Sequence, residues 1–220
     1  MTCIKSSLLC LIAFKASAEV SDSGFRTSLQ IEKAFESKTL VRFEQEDYWY
    51  NDSQNWYQSL FRLGIGYQLN PRTSVFVGYD YMPTHLIGRA SYNQQNVWPM
   101  LRYIRPLGNG TFTFRSMWES NFVGISVRER ARHLLRYMLP LDFEPHLSFI
   151  VADEVYYRVN STDWGGKSGF DSNSLFAGFG WTFHSGLRTE LGYYNQYSDD
   201  LNHRINTIRH SVQLSVVYNF

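Results

Sequence analysis

The sequence predicts an all-β protein, a closed antiparallel barrel that crosses a bacterial outer membrane with about 12 strands, or ten as the alternative. Three observations predict it. The chain ends in a long two-faced strand, it begins with a secretory leader, and it is 17% aromatic. Outside the leader, no apolar run reaches the ~18 residues of a membrane helix. This combination is typical of membrane barrels, whose strands show only weak alternation.

The strand pattern is clearest in the last thirteen residues, 208–220. Side chains alternate across a strand, so every second residue faces the same way. One face carries Ile208, Val212, Leu214, Val216, Tyr218 and Phe220, with His210 as its one polar member. An aromatic terminal residue in phase with an apolar face resembles the last strand of outer-membrane barrels. Tyr218 and Phe220 are therefore the expected assembly signal.

The first eighteen residues read as a secretory signal peptide. Lys5 precedes a short apolar segment, and Ala16, Ser17 and Ala18 form a cleavage site of the A-x-A kind. We therefore expect residues 1–18 to be removed and residues 19–220 to form a single barrel domain. A buried N-terminal helix is the alternative for this segment.

Removal of this leader would change the composition in two ways. Cys3 and Cys10 are the two cysteines of the chain, so the mature protein would have no disulfide and no thiol metal site. Loss of Lys5 and Lys15 changes the net charge from +1 to −1. A nearly neutral chain gives no reason to expect a nucleic-acid partner.

Eleven alternating segments can be found along residues 19–220. Because bacterial barrels normally close with an even number of strands, we expect residues 19–24 to contribute a twelfth, or one segment not to be a strand. Turn signals at Asn70, Pro106, Pro140 and Ser185 would all lie at the periplasmic end if the C-terminus is periplasmic. Longer connections, such as residues 160–169 and 198–206, would then be extracellular.

The polar faces of these segments are unusually rich in charge. A lipid-facing arginine costs about 2–4 kcal/mol at the bilayer midplane, so these residues are expected to face the lumen. The predicted lumen charge cluster is Arg42, Glu44, Glu46, Arg115, Glu119, Arg128, Arg130, Arg132, Arg136, Glu154, Arg188 and Glu190. It is either a salt-bridged interior or the lining of a charged pore or ligand site.

The predicted inward faces carry more positive than negative charge. Twelve arginines oppose seven acids once Arg26, Arg62, Arg102, Arg158, Arg209, Glu32 and Asp80 are added to the cluster. Charges that line a pore set its selectivity, so an open lumen should prefer anions. Arg130 and Arg132 should contribute most, because they share a face with Arg128 and Arg136.

Two features do not fit this pattern cleanly. Asp153 falls in the outward phase between Val151 and Val155, so either a bulge turns it inward or it lies near the membrane interface. His146 and Ser148 have the H-x-S spacing seen in outer-membrane phospholipase A and the lipid A deacylases. A chance pair at a strand start is the alternative, and we expect no catalytic residue here. The remaining histidines form no ligand spacing, so no metal and no cofactor are expected.

Several stretches resemble the bacterial domain-of-unknown-function 2490 family, whose members are expected to be outer-membrane barrels without an assigned activity. The similar stretches are residues 43–46 with Asn51 and Asp52, residues 128–141, residues 153–155 and residues 169–178. Ser174 departs from the family pattern, which often has arginine there, and residues 116–120 lack a repeated arginine. The resemblance implies fold and location and assigns no catalytic residue.

The leading functional expectation is a small outer-membrane barrel with a charged lumen, acting as a narrow channel or a structural protein. A lipid-acting enzyme and a soluble periplasmic ligand-binding barrel are the alternatives. The expected partners are outer-membrane lipids and, during biogenesis, periplasmic chaperones and the barrel-assembly machinery. The sequence gives no oligomeric state.

Overall fold

A computed structural model describes residues 19–50, 54–85, 91–123, 126–163, 166–183, 186–199 and 206–220. The predicted leader and the Asn51–Asp52 motif lie outside these residues. Among them, no helix is long and apolar enough to cross a membrane. They form a closed barrel of eleven strands, which confirms the predicted all-β fold.

The strands are long and are joined by short connections. Each strand forms because apolar or aromatic residues alternate with polar ones. They are β1 Glu19–Ala34, β2 Thr39–Tyr50, β3 Asn55–Asn70, β4 Thr73–Thr84, β5 Tyr92–Leu107, β6 Gly110–Val123, β7 Ser126–Leu141, β8 Glu144–Arg158, β9 Gly169–Thr182, β10 Leu187–Ser198 and β11 Asn206–Asn219.

The barrel closes through a parallel pair, and this corrects the expectation of twelve or ten strands in a fully antiparallel ring. Each strand pairs antiparallel with its neighbour in sequence, so with an odd number the first and last strands run the same way. β1 and β11 accordingly pair in parallel from Glu19 opposite Asn206 to Glu32 opposite Asn219. Residues 19–24 form no separate strand, because they are the first part of β1.

The predicted turns lie together at one end of the barrel. The strand ends at Ala34, Thr39, Asn70, Thr73, Leu107, Gly110, Leu141, Glu144, Thr182 and Leu187 lie at the same barrel end as Phe220, and we call this the turn end. The predicted turn residue Ser185 lies outside the described residues. The opposite strand ends, at Glu19, Tyr50, Asn55, Thr84, Tyr92, Val123, Ser126, Arg158, Gly169, Ser198 and Asn206, define the loop end. Which end faces the periplasm remains a prediction.

The outer wall is apolar over most of its height. On β3, every second residue from Phe61 to Leu69 points outward and is exposed: Phe61, Leu63, Ile65, Tyr67 and Leu69. The neighbouring strand continues the surface with Val77, Tyr79 and Tyr81, and the far side of the barrel with Leu175, Phe179 and Leu191. The intervening residues point inward and are mostly polar, so the barrel is apolar outside and polar inside.

Two bulges near the loop end turn residues of the outward phase into the lumen. On β3, the register passes from Trp56 to Gln58, and the skipped Tyr57 packs its ring 5.1 Å from that of Tyr50. On β9, the register passes from Phe170 to Ser172, and the skipped Asp171 pairs with inward arginines. A bulge places an extra residue on one strand and reverses its facing, which simple alternation does not predict.

The lumen is packed with apolar side chains on the β2–β6 side of the turn end. Leu40, Phe76, Trp98, Met100 and Met117 form one buried cluster. Trp98 fits there because the wall opposite it is glycine. A Cβ at Gly78 would lie 2.2 Å from Cζ2 of Trp98 and 2.4 Å from the backbone oxygen of Leu63. Gly78 therefore leaves the space in which the indole packs.

Gly78→Val should destabilise the barrel by about 1–3 kcal/mol, because overpacking displaces a buried ring or a strand. The measurement is the midpoint of urea unfolding of the refolded protein. Ala131→Val, on the outward face of β7, is the matched control and should leave the midpoint nearly unchanged. Equal midpoints for the two variants would show that Trp98 is not confined as described.

Candidate lumen site

Ion pairs link the walls of the barrel through the lumen. We call the largest connected set the central network, and it joins strands β1 to β9. Its members are Arg42, Arg62, Arg102, Arg115, Arg130, Arg132, Arg158, Glu32, Glu44, Asp80, Glu119, Glu154 and Asp171. Buried charges require paired partners, and here all pairs except Arg42 with Glu44 join two different strands.

Glu119 is the hub of the central network. It is 0% exposed and accepts hydrogen bonds from Arg62, Arg130 and Arg132. The Nε and Nη2 atoms of Arg130 lie 2.8 and 2.6 Å from Oε2 of Glu119. Arg62 is equally enclosed, and its Nε and Nη2 atoms lie 2.9 and 2.7 Å from the two carboxylate oxygens of Asp80. These side chains fill the lumen between β3 and β7.

Other pairs span strands that are not neighbours. Arg102 on β5 donates to both carboxylate oxygens of Glu32 on β1, at 2.6 and 2.7 Å. Arg136 on β7 donates to Glu190 on β10 at 2.6 Å, and Arg188 donates to the same oxygen at 2.7 Å. Such charge-assisted bonds are stronger than neutral ones, so they tie distant walls together and narrow the lumen.

A cavity of about 440 Å³ remains in the lumen, and it extends toward the turn end. Its charged lining consists of seven arginines and five glutamates: Arg26, Arg42, Arg102, Arg115, Arg132, Arg136, Arg188, Glu32, Glu44, Glu46, Glu154 and Glu190. Apolar and aromatic residues such as Leu134, Met138, Phe176 and Tyr194 complete it. The charged lining therefore carries an excess of two positive charges.

Two of the lining arginines each have one buried nitrogen atom without a hydrogen-bond acceptor in the described part of the chain. Arg26 pairs with Glu46 and stacks on Tyr194, yet its Nη1 atom is buried without a hydrogen-bond partner among the described residues. Arg115 pairs with Glu154 through Nη2, and its Nε atom is buried and likewise unpartnered. A buried donor without an acceptor is costly. An oxyanion in the cavity would supply acceptors of the right charge.

All twelve residues of the predicted lumen charge cluster lie on the inward face. The structure adds two inward acids that the sequence did not predict, Asp22 opposite Arg209 and Asp171 at its bulge. Twelve arginines therefore face nine acids in the described strands, and the excess falls from five to three. Arg130 and Arg132 are held by Glu119, Asp171 and Glu154, so they belong to the packed network.

The other singled-out residues lie near the turn end of the barrel. Phe220 stacks on Tyr218 at 4.9 Å, and its backbone N–H donates to the carbonyl of Glu32 at 3.0 Å. His146 has its Nδ1 atom 3.0 Å from the carbonyl oxygen of Thr182, while Ser148 is buried in the wall. The structure thus gives His146 a partner other than Ser148.

No bulge turns Asp153 inward, and a place near the membrane interface stays a prediction. Its carboxylate stays on the outward face and accepts a hydrogen bond from the side-chain amide of Asn173. No three His, Cys, Asp or Glu side chains of the described strands and turns are arranged to hold a metal ion.

Comparison with known proteins identifies relatives without assigning an activity. Residues 24–207 match the model of a family described as protein of unknown function (DUF2490). An uncharacterized protein of Methylorubrum extorquens is 27% identical over 146 residues, which cover 63% of this chain and 63% of that protein. The chain thus spans less than two thirds of the curated relative it matches. No solved structure matches the chain.

Replacement of the hub tests the central network. Glu119→Gln should destabilise the folded barrel by about 3–5 kcal/mol, because it leaves Arg62, Arg130 and Arg132 without their shared counter-charge in a buried site. Urea unfolding of the refolded protein measures the change. Glu36→Gln, in an exposed turn, should change the stability by less than about 0.5 kcal/mol. A Glu119→Gln variant as stable as the control would contradict the hub assignment.

Proposed function

The chain belongs to the DUF2490 family, and we propose that it is an outer-membrane barrel whose lumen holds small oxyanions and passes them as a narrow, anion-preferring channel. The observation that carries this proposal is the arginine-rich lumen cavity. Two of its guanidinium groups, those of Arg26 and Arg115, retain unpartnered donors. Because guanidinium groups bind carboxylates and phosphates, oxyanions are the chemical class that fits.

The outer wall supports the membrane location. Outward residues from Phe61 to Leu69 cover nine positions on β3, close to the ~9–11 that a tilted strand needs to span a bilayer core. Exposed aromatic and aliphatic side chains continue this surface around the barrel. In water such a surface would be an aggregation hazard. The soluble-barrel alternative is therefore disfavoured.

The predicted leader and the terminal strand support the same location. Phe220 closes the seam between β1 and β11, where Ala34 donates a backbone hydrogen bond to its carbonyl at 3.0 Å. The turn end then faces the periplasm, and the cavity is reached from that side. Outer-membrane lipids, periplasmic chaperones and the assembly machinery are the partners of this proposal.

The central network limits how the lumen works. Glu119 and Arg62 are almost wholly enclosed, so the passage is constricted at their level. Anions would collect in the cavity on the turn-end side of this constriction. The other arginines there are held by their ion pairs and stabilise the wall. The unpartnered Nη1 atom of Arg26 and Nε atom of Arg115 would donate hydrogen bonds to the ion. We therefore expect Arg26 and Arg115 to contribute most to the anion preference, in place of Arg130 and Arg132. The lipid-acting enzyme has less support than the channel, because the Nδ1 atom of His146 contacts the carbonyl oxygen of Thr182.

The reversal potential across a planar bilayer in a potassium chloride gradient tests this function. The unmodified protein should prefer chloride to potassium, since charges that line a pore set its selectivity. Arg115→Gln should lower the anion-to-cation permeability ratio about twofold or more, because it removes positive charge where the walls focus the field.

The matched control is Arg105→Gln, an exposed outward arginine near the turn end. It should leave the ratio unchanged. Cation preference in the unmodified protein, or equal ratios for the two variants, would contradict an arginine-lined filter. A barrel that inserts but carries no current would exclude the passage.

A further inference from the structure

A groove of about 760 Å³ crosses the outer wall, separate from the lumen. Two cross-strand rows of outward residues form it. The row nearer the loop end runs Leu135, Asp153, Leu175 and Asn195, and the next row runs Tyr137, Val151, Ala177 and Tyr193. Ala177 is the smallest outward side chain of the second row. Its small size leaves space at the bottom of the groove between Val151 and Tyr193.

The polar edge of this groove carries a carboxylate without a counter-charge. Asp153 accepts a hydrogen bond from Asn173, a neutral amide, and forms no ion pair with any residue that the structure describes. Every inward carboxylate of the central network, by contrast, pairs with arginine. A lone carboxylate on a lipid-facing wall is costly. An external cation would remove that cost.

The position of Asp153 indicates where that cation comes from. Two other outward carboxylates lie toward the loop end, Asp47 near the end of β2 and Glu129 near the start of β7, and both are held by neutral donors. Beyond Asp153 toward the turn end, the groove is lined by apolar and aromatic side chains. The carboxylate therefore lies at the border between a polar collar and the apolar wall, the level of lipid headgroups.

We propose that this groove binds one membrane lipid whose headgroup carries a primary ammonium group, with an ethanolamine phospholipid as its probe. The ammonium group meets the Asp153 carboxylate, and one acyl chain lies over Ala177 between Val151 and Tyr193. Asn195 borders the same edge, where its amide contacts the Tyr193 hydroxyl at 3.4 Å and His210 at 3.3 Å. The inference rests on the membrane location proposed above and is independent of the anion channel.

Native mass spectrometry tests this inference on protein released from bilayers of equal parts ethanolamine and choline phospholipids with identical chains. Both lipids are zwitterionic, but the choline headgroup has no N–H donor. The protein should retain the ethanolamine lipid in about fivefold excess, because only its ammonium group can donate a hydrogen bond to the Asp153 carboxylate. Asp153→Asn, which keeps the size and removes the charge, should abolish the preference.

Two further variants separate charge from shape. Asp47→Asn removes an outward carboxylate away from the groove and should keep the preference. Ala177→Trp fills the floor and should lower retention of both lipids while the barrel still folds, as judged by its heat-modifiable mobility on a gel. Equal retention of the two lipids by the unmodified protein, or an undiminished preference in Asp153→Asn, would overturn the inference. Failure to enter the bilayer at all would instead overturn the membrane location.

Discussion

The pairing of buried charge across the lumen is the constraint on which the rest of the structure depends. A barrel wall has two faces, and here the inner one carries charge that must be neutralised. Glu119 accepts hydrogen bonds from three arginines at once, which also pair with other acids, and Arg102 reaches from β5 to Glu32 on β1. The pairs of Arg62 with Glu119 and of Arg102 with Glu32 join non-adjacent strands, so they hold distant parts of the wall together. The residual arginine excess then collects at the cavity, where the network leaves donors unused.

The outer wall follows the opposite rule. It is apolar along β3 from Phe61 to Leu69, and its few carboxylates lie toward the loop end with neutral partners. The same alternation produces both surfaces, since each residue that faces in fixes the facing of its neighbours. The proposed anion site therefore lies inside the barrel, and the proposed headgroup site lies on its outer wall.

Period-two alternation was sufficient to predict the β fold, the eleven segments, the common end of the turns and the inward facing of the charge cluster. It could not predict that the closure is parallel, because the pairing of β1 with β11 depends on the strand number and not on any local pattern. Nor could it predict the facing of Asp171, which a bulge reverses. The ion-pair partners were equally hidden. Arg62 and Glu119 are 57 residues apart, and only the closed barrel brings them together.

Cysteine scanning along β3 tests the central claim most directly, since the two native cysteines, Cys3 and Cys10, lie in the predicted leader. Spin labels would be placed singly at positions 61–69 of protein in bilayers, and their collisions with oxygen and with a water-soluble relaxant measured. Labels at Leu63, Ile65 and Tyr67 should collide with oxygen and not with the relaxant. Labels at the positions between them should collide with the relaxant or be shielded from both reagents. Equal access of the relaxant to both sets would contradict a lipid-facing outer wall around an ion-paired lumen.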